Sequence, residues 1–180
     1  MGLFLKYLIQ LILSPGNAWE DLAHDDPEPE ALLHEGYYPL LGVASATAFF
    51  GMLYHGAGLS QVLVTALTIF GIYFVAVYIG KLLFGLYFER TAGVELDRRR
   101  AMQYIISGLG LMLLFQIVEN LLPWNLLILK LMPIYIIVVL SKGSGFLGAG
   151  EVSHMRLTAL AGATLVVIPM VIYYFILMLI

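Results

Sequence analysis

The chain has 180 residues, of which 61% are hydrophobic and only 12% are Asp, Glu, Lys or Arg. Its formal net charge is −3 and it contains no cysteine, which excludes disulfides and thiolate chemistry. This composition is far more apolar than that of a soluble globular domain and predicts an integral membrane protein.

The first predicted element is a short helix over residues 3–13, apolar except for Lys6 and Gln10 on one face. At about 1.5 Å per residue the segment cannot cross a bilayer, so we expect an amphipathic helix in the membrane interface. The sequence after it makes a poor cleavage site, which disfavours a signal peptide. Ser14 and Pro15 predict the cap and first turn of a second helix, and Trp19 is expected to anchor that helix in the interface.

An acidic stretch follows, with seven Asp and Glu residues and no Lys or Arg between Glu20 and Glu35. We expect this stretch to lie over the basic loop that contains Arg98, Arg99 and Arg100, because opposite charges at one membrane surface attract. The alternative for the three arginines is contact with anionic lipid.

Five apolar stretches come next, and each is close to the length of roughly 20 residues that crosses hydrocarbon. The predicted fold is therefore all-α: a polytopic membrane helix bundle with five transmembrane helices, in which an N-terminal segment (1–36) precedes a membrane domain (37–180). The breaker-rich stretch from Tyr54 to Gly58 separates the first two spans. An aromatic pair, Tyr37 and Tyr38, opens the first span and is expected to lie in the aromatic belt of the membrane interface. The predicted spans are about 37–53, 61–88, 101–122, 125–141 and 157–180.

The basic residues predict the orientation of these spans. With the N-terminus in the cytoplasm, seven of the nine Lys and Arg residues fall on the cytoplasmic side, and the outward connections carry none. This predicts an integral protein of the bacterial cytoplasmic (inner) membrane with its C-terminus outside. The seven residues are Lys6, Arg90, Arg98, Arg99, Arg100, Lys142 and Arg156.

Three short segments resemble a known family. They are Ser14-Pro15-Gly16-Asn17-Ala18-Trp19-Glu20, then Tyr37-Tyr38-Pro39-Leu40-Leu41-Gly42 after the acidic stretch, and Arg100-Ala101-Met102-Gln103-Tyr104. Together they resemble bacterial members of the Ypt/Rab-interacting-protein (YIP) family. The resemblance implies five spans and a cytoplasmic N-terminus; eukaryotic relatives act in membrane traffic, bind small GTPases and form complexes with one another. This chain lacks their long cytoplasmic N-terminal region, which disfavours GTPase binding.

Three ionisable residues fall inside apolar stretches, where a charge needs a partner or water. Glu119 and Lys130 are expected to face each other across the tight turn at Leu122-Pro123-Trp124, and Lys81 is expected to extend toward Glu89. The alternative is a substrate or proton path, which would require one cavity lined by Lys81, Gln116, Glu119, Asn120 and Lys130.

A cluster of imidazole and carboxylate side chains raises the possibility of a divalent metal such as zinc, manganese or iron. Glu30 and His34 are four residues apart on a plausible helix face, and Glu151 and His154 lie in a loop on the same side of the membrane. No motif of established metal specificity occurs. The candidate ligands are His24, Asp25, Asp26, Glu30, His34, Glu151 and His154.

The chain contains no nucleophile elbow, phosphate loop or nucleotide fingerprint, so we expect it not to be an enzyme. Nucleic-acid binding has no support beyond the three arginines. The sequence predicts a membrane scaffold or adaptor that organises partners or lipid through its cytoplasmic face, with lipid, itself or other membrane proteins as partners. The alternative is a small transporter or a divalent-metal-binding membrane protein.

Overall fold

The structure, a computed structural model, describes residues 1–90, 97–122, 129–147 and 151–179, with the side chains of all but 55 and 151–153. Over these ranges the chain is helical and forms no strand. Five helices are long and apolar enough to cross a membrane, which confirms the all-α membrane helix bundle. The helices are α1 (Gly2–Leu13), α2 (Pro15–Asp25), α3 (Pro29–Tyr54), α4 (Leu59–Arg90), α5 (Arg98–Leu121), α6 (Leu129–Leu147) and α7 (His154–Met178, with helical backbone from Glu151).

Two of the spans contain a widened π-helical turn, Leu32–Tyr37 in α3 and Gly162–Val167 in α7. Each turn is followed two residues later by a proline, Pro39 or Pro169. Because proline has no backbone N–H, it cannot bond the carbonyl four residues before it, and the helix can widen just ahead of it. α3 ends at Gly56, whose φ of +63° is the left-handed conformation that glycine adopts most easily.

α5 is the central helix. Its described side chains are mostly buried, and α1, α3, α4, α6 and α7 all contact it. Glycines bring its neighbours close: a Cβ added at Gly80 would lie 3.0 Å from Ile105, and one added at Gly108 would lie 2.9 Å from Leu140. Such close helix approach is what drives association where no hydrophobic effect operates between helices.

The five long helices alternate in direction, which places the charged connections together. We call the end of the bundle that carries Arg90, Arg98 and Lys142 the basic end, and the end that carries Tyr54 and Leu121 the opposite end. The connection through Pro123 and Trp124 and the start of the predicted fourth span at residue 125 lie outside the described residues.

The two N-terminal helices form an antiparallel pair, which we call the N-terminal hairpin (α1 and α2). The Tyr7 hydroxyl donates to Asp25 at 2.7 Å, and the Gln10 amide contacts Asp21. The predicted short N-terminal helix is therefore present, and it also packs on the membrane bundle. Its buried side chains recur with helical spacing and cover one stripe: Phe4, Tyr7, Leu8 and Leu11.

Glycines on three spans receive the hairpin. Phe4 lies against Gly36 of α3, and both Phe4 and Leu8 lie against Gly110 of α5. Gly110 is twelve residues after Arg98, so α1 reaches about 18 Å along α5 from the basic end. At the far end of α1, the Tyr135 hydroxyl of α6 donates to the carbonyl of Ile12. The hairpin therefore enters the bundle rather than only covering its surface.

The side chain of Trp19 in α2 packs against α5 and α6. It is only 3% exposed, so the expectation that it anchors α2 in lipid is wrong. Its ring stacks on Tyr104 at a centroid distance of 5.1 Å, and its indole N–H donates to the carbonyl of Val139 at 3.0 Å. A Cβ added at Gly143 would lie 2.4 Å from the indole ring. Tyr37, expected in the aromatic belt, is likewise buried and donates to the carbonyl of Tyr73 at 2.8 Å.

We predict that Gly143→Ala destabilises the protein by about 1–3 kcal/mol, because the new methyl group overlaps a ring that has no room to move. Thermal unfolding in detergent measures the effect. Gly145→Ala is the matched control, since a Cβ at Gly145 meets no atom within 4 Å.

A second background makes this test specific. In a Trp19→Ala protein the overlap is gone, so Gly143→Ala should cost much less there than in the wild type. Equal costs in the two backgrounds would contradict the contact between Trp19 and Gly143.

Candidate functional site

At the basic end, the acidic linker after α2 lies on the start of α5. Arg99 Nε is 3.1 Å from the Asp26 carboxylate, and a terminal nitrogen of Arg99 is 3.2 Å from Glu28. The same guanidinium donates to the Asp26 carbonyl at 2.8 Å. Asp26 has a φ of +38°, a conformation that Asp tolerates better than most residues, and this turn aims its carboxylate at α5.

Gln103 completes this contact from the buried face of α5. Its amide nitrogen donates to the Asp26 carboxylate at 2.9 Å and to the carbonyl of Pro27 at 2.7 Å. One turn of helix thus carries Arg99 and Gln103, which both bind the single turn Asp26-Pro27. Of the three arginines that were expected to meet the acidic stretch, Arg99 is therefore the one that forms ion pairs with it.

The other two arginines have different surroundings. Asp97 caps α5 by accepting from the backbone N–H groups of Arg99 and Arg100, and its carboxylate is 3.5 Å from Arg100 Nε. The Arg100 guanidinium lies 5.6 Å from the centroid of the Phe146 ring. Arg98 makes no hydrogen bond or ion pair to any residue that the structure describes.

Magnitudes decide which contacts hold the hairpin in place. Arg99 and Asp26 are about half exposed, so their ion pair contributes about 0–1 kcal/mol. Truncating a buried Trp or Phe costs about 3–5 kcal/mol. The rings of Trp19 and Phe4 therefore supply most of the attachment, and the charges at Arg99 fix the direction in which the linker leaves α2.

Tyr7 joins the two hairpin helices. Burial of the phenol and its hydrogen bond to Asp25 raise the pKa of Tyr7 from 10.0 to about 12. The neutral phenol is therefore favoured in the folded protein.

The predicted metal ligands do not assemble in the part of the chain that the structure describes, where no three His, Asp or Glu side chains come together. Asp25 and Asp26 are bonded to Tyr7 and to Arg99. The π-helical turn that begins at Leu32 changes the offset between Glu30 and His34, and the His34 ring instead meets the edge of Tyr38. His24 is exposed, His154 borders a groove between α6 and α7, and the side chain of Glu151 lies outside the described residues.

The opposite end contains a polar cavity of about 450 Å³ to which all five long helices contribute lining residues. Glu119 and Lys130 both line it, but no ion pair within 4.0 Å joins them in the described coordinates. Glu119 instead accepts from the Tyr174 hydroxyl at 3.3 Å. Asn120 donates to Thr47 at 3.0 Å, and Gln116 bridges Asn120 and the Tyr173 hydroxyl.

Lys81 lies elsewhere. It lines a groove of about 350 Å³ between α4 and α5 at the basic end, together with Glu89 and Arg98. No ion pair between Lys81 and Glu89 occurs among the described residues. The five polar residues that a transport path would have to share are thus divided between the two ends of the bundle.

Sequence reasoning missed the buried partners of these groups: Gln103, Tyr104 and Tyr173. Gln103 and Tyr104 were noted only as part of a family resemblance. The one available signal was Gln103 itself, an amide in the first turns of an otherwise apolar span, which must find hydrogen-bond partners when it is buried.

No protein-family model, curated protein or solved structure matches the chain.

We predict a specific pH dependence for Tyr7. Because its folded pKa of about 12 lies above the usual 10.0, its contribution to stability is complete below pH 10 and is lost as the pH rises toward 12. Thermal unfolding between pH 8 and pH 11 should show a steeper alkaline loss for the wild type than for Tyr7→Phe. At pH 8 the variant should be less stable by about 1 kcal/mol, the value of one hydrogen bond.

Tyr54→Phe is the control, since Tyr54 is exposed at the opposite end of the bundle. It should follow the wild-type curve throughout. Parallel curves for the wild type and Tyr7→Phe would show that Tyr7 does not couple the two helices.

Proposed function

We propose that the protein is a non-enzymatic scaffold or adaptor of the YIP type in the bacterial cytoplasmic membrane. Its N-terminal hairpin and basic end face the cytoplasm, and its C-terminus lies outside. The observation that carries this proposal is the attachment of the hairpin, which holds an acidic surface in a fixed position at one end of a membrane bundle.

The attachment supports a role in presenting a surface to partners. α2 buries Ala18, Trp19 and Leu22 against the bundle, and this leaves its acidic side exposed. Glu20, Glu30 and Glu35 are exposed and make no ion pair with any described residue. An ordered acidic surface binds a basic partner at a lower entropic cost than a flexible tail does.

The distribution of charge points the same way. By position in the sequence, every Asp and Glu except Glu119 and every Lys and Arg except Lys81 and Lys130 belongs to the segments at the basic end. This end thus carries seven of the nine Lys and Arg residues, and such a concentration of Lys and Arg favours the cytoplasmic side. Contact with soluble or peripheral partners would then take place in the cytoplasm.

Two of the segments that carry the YIP resemblance meet in space, which supports a shared structural purpose. Trp19 of the first segment stacks on Tyr104 of the third, and Arg100 of the third contacts the ring of Phe146 beside them. The second segment begins at Tyr37, the last residue of the π-helical turn in α3. A hairpin that packs on the bundle requires matching residues in both segments, here the rings of Trp19 and Tyr104.

The transport alternative has weaker support. It requires Lys81 to share a cavity with Glu119, Asn120 and Lys130, but Lys81 lines the groove at the basic end. The groove at Lys81 and the cavity at Glu119 and Lys130 have no lining residue in common. The adaptor proposal, in contrast, requires only the attached hairpin and its exposed acidic surface at the basic end.

Orientation can be tested with single cysteines, because the protein has none of its own. Gly58 and Gly145 are both exposed and both have room for a side chain. In intact cells an impermeant maleimide should label Gly58→Cys and not Gly145→Cys, and lysis should make both reactive. Labelling of Gly145→Cys before lysis, or equal labelling of the two, would contradict the proposed orientation.

The adaptor role can be tested by photo-crosslinking in cells, with a photoreactive amino acid at position 20 or at position 58. We expect discrete adducts with another membrane or peripheral protein, or with a second copy, from position 20 only. Glu30→Lys should weaken them by reversing a charge on the presented surface, and Trp19→Ala should abolish them by releasing the hairpin.

Gly145→Ala is the matched control for expression and should leave the adducts unchanged. If positions 20 and 58 give the same adducts, or if Trp19→Ala changes nothing, the presented surface is not the functional one.

A further inference from the structure

The groove between α4 and α5 at the basic end has the arrangement of a lipid site. It has a volume of about 350 Å³ and is open on one side. Its α4 wall is a single helical face with exposed apolar side chains, and its α5 wall begins at the first residue of the helix. The apolar lining is Tyr78, Leu82, Leu86, Met102 and Ile105.

Two small residues line the groove, Gly85 of α4 and Ala101 of α5. A Cβ added at Gly85 would meet no atom within 4 Å. The groove is thus a narrow apolar trench that a hydrocarbon chain can fill. The exposed fractions of Tyr78 and Leu82, 54% and 61%, show that no described part of the protein covers it.

The charged residues of this trench lie at two depths. Arg98 begins α5 and Glu89 is near the end of α4, whereas Lys81 lies eight residues before Glu89, about 12 Å deeper along α4. A lysine at this depth extends its ammonium toward the membrane surface. The side chain of Lys81, extended in this direction, shares the groove with Arg98 of the neighbouring helix.

Arg98 differs from the two arginines that follow it. Arg99 binds Asp26 and Glu28, and Arg100 binds Asp97 and contacts Phe146. Arg98 and Lys81 have no ion pair with any residue in the described ranges. Among the residues that the structure describes, two of the three consecutive arginines therefore have internal partners, and the third lines the groove.

We propose that this groove binds one anionic glycerophospholipid, with the phosphodiester between Lys81 and Arg98 and one acyl chain along Leu82, Gly85 and Ile105. The formal charge of the groove selects the headgroup. Of the described residues that line it, Lys81 and Arg98 are cationic and Glu89 is anionic, which gives these side chains a net charge of +1 that one phosphodiester neutralises. A zwitterionic headgroup brings its own cation and leaves the excess in place, so phosphatidylglycerol fits better than phosphatidylethanolamine.

This lipid site does not depend on the adaptor proposal. It uses α4 and α5 alone and involves neither the hairpin nor its acidic surface. A protein that has no partner at Glu20 can still hold the lipid, and the two proposals can fail separately.

Native mass spectrometry of the full chain in detergent, titrated with phosphatidylglycerol or phosphatidylethanolamine of identical acyl chains, tests the site. We expect one phosphatidylglycerol to be retained in preference to phosphatidylethanolamine. Lys81→Gln and Arg98→Gln should each weaken its binding about fivefold, since a basic residue near a membrane surface contributes about that factor. Lys81→Arg should restore it.

Two controls separate the groove from general surface charge. Lys142→Gln removes an exposed cation at the same end, and Arg99→Gln removes the arginine that is bound internally; neither should change lipid retention. Gly85→Leu fills the trench without a change in charge and should weaken binding, whereas Gly42→Leu, at another exposed and open glycine, should not. Variants are compared only where their thermal unfolding matches that of the wild type.

Three results would overturn the proposal: equal retention of the two lipids, an effect of Lys142→Gln as large as that of Arg98→Gln, or full binding by Gly85→Leu. Displacement of the lipid by millimolar inorganic phosphate would also overturn it, because it would show that the groove recognises a free anion without the acyl chain.

Discussion

The contact between the Trp19 ring and Gly143 determines how the whole N-terminal segment is arranged. The ring fills the space that a side chain at position 143 would occupy, and its indole N–H bonds the carbonyl of Val139. Tyr104, stacked on the same ring, donates to the next carbonyl, that of Leu140, at 2.8 Å. The α-helical part of α6 ends at Gly143, before a 3₁₀ turn at Gly145–Leu147, so Leu140 is among its last residues, whose carbonyls lack intrahelical partners. One aromatic pair therefore closes the end of α6 and holds α2 to the bundle.

The other contacts at this end depend on that attachment. With α2 fixed, its last residue delivers Asp26 to Arg99 and Gln103, and α1 is returned along α5 so that Phe4 reaches Gly36 and Gly110. The half-exposed ion pairs are individually weak. Arg99 nevertheless selects particular partners, because the packing of the Trp19 and Phe4 rings already holds the acidic linker beside it. This order of effects explains how a short and very acidic segment can be ordered beside a basic loop.

The sequence was sufficient for the fold class and insufficient for the packing. Five long apolar stretches separated by charge or glycine predict five spans because hydrocarbon thickness fixes their length. An apolar helix face, in contrast, is equally suited to lipid and to protein. For this reason Trp19 and Tyr37 were assigned to the interface although both are buried. The sequence does contain signals of packing, namely the apolar stripe of α1 and the glycines at 110 and 143. The stripe alone does not show which helix it contacts, and the glycines alone do not show which side chain fills the space beside them.

The site residues were likewise predicted only in part from the sequence. The pairing of acidic and basic segments followed from charge and topology, but the choice of Arg99 over Arg98 depends on helix phase, which a run of three arginines conceals. The offset between Glu30 and His34 depends on a π-helical turn that follows from Pro39 only when the helix is known to continue through it. The predicted pairing of Glu119 and Lys130 assumed that a tight turn brings two charges into contact. The structure gives Glu119 a tyrosine partner and places Lys130 across a cavity.

The central claim is that Trp19 is held by protein and not by lipid, and quenching by brominated lipid measures this most directly. The chain has two tryptophans, so Trp124→Phe leaves Trp19 as the single fluorophore. In bilayers of brominated lipid, the account predicts weak quenching of Trp19, and weak quenching by aqueous acrylamide as well. Gly143→Ala should increase both. Strong quenching by brominated lipid in the Trp124→Phe protein would place Trp19 in the membrane interface and contradict the attachment of the hairpin to the bundle.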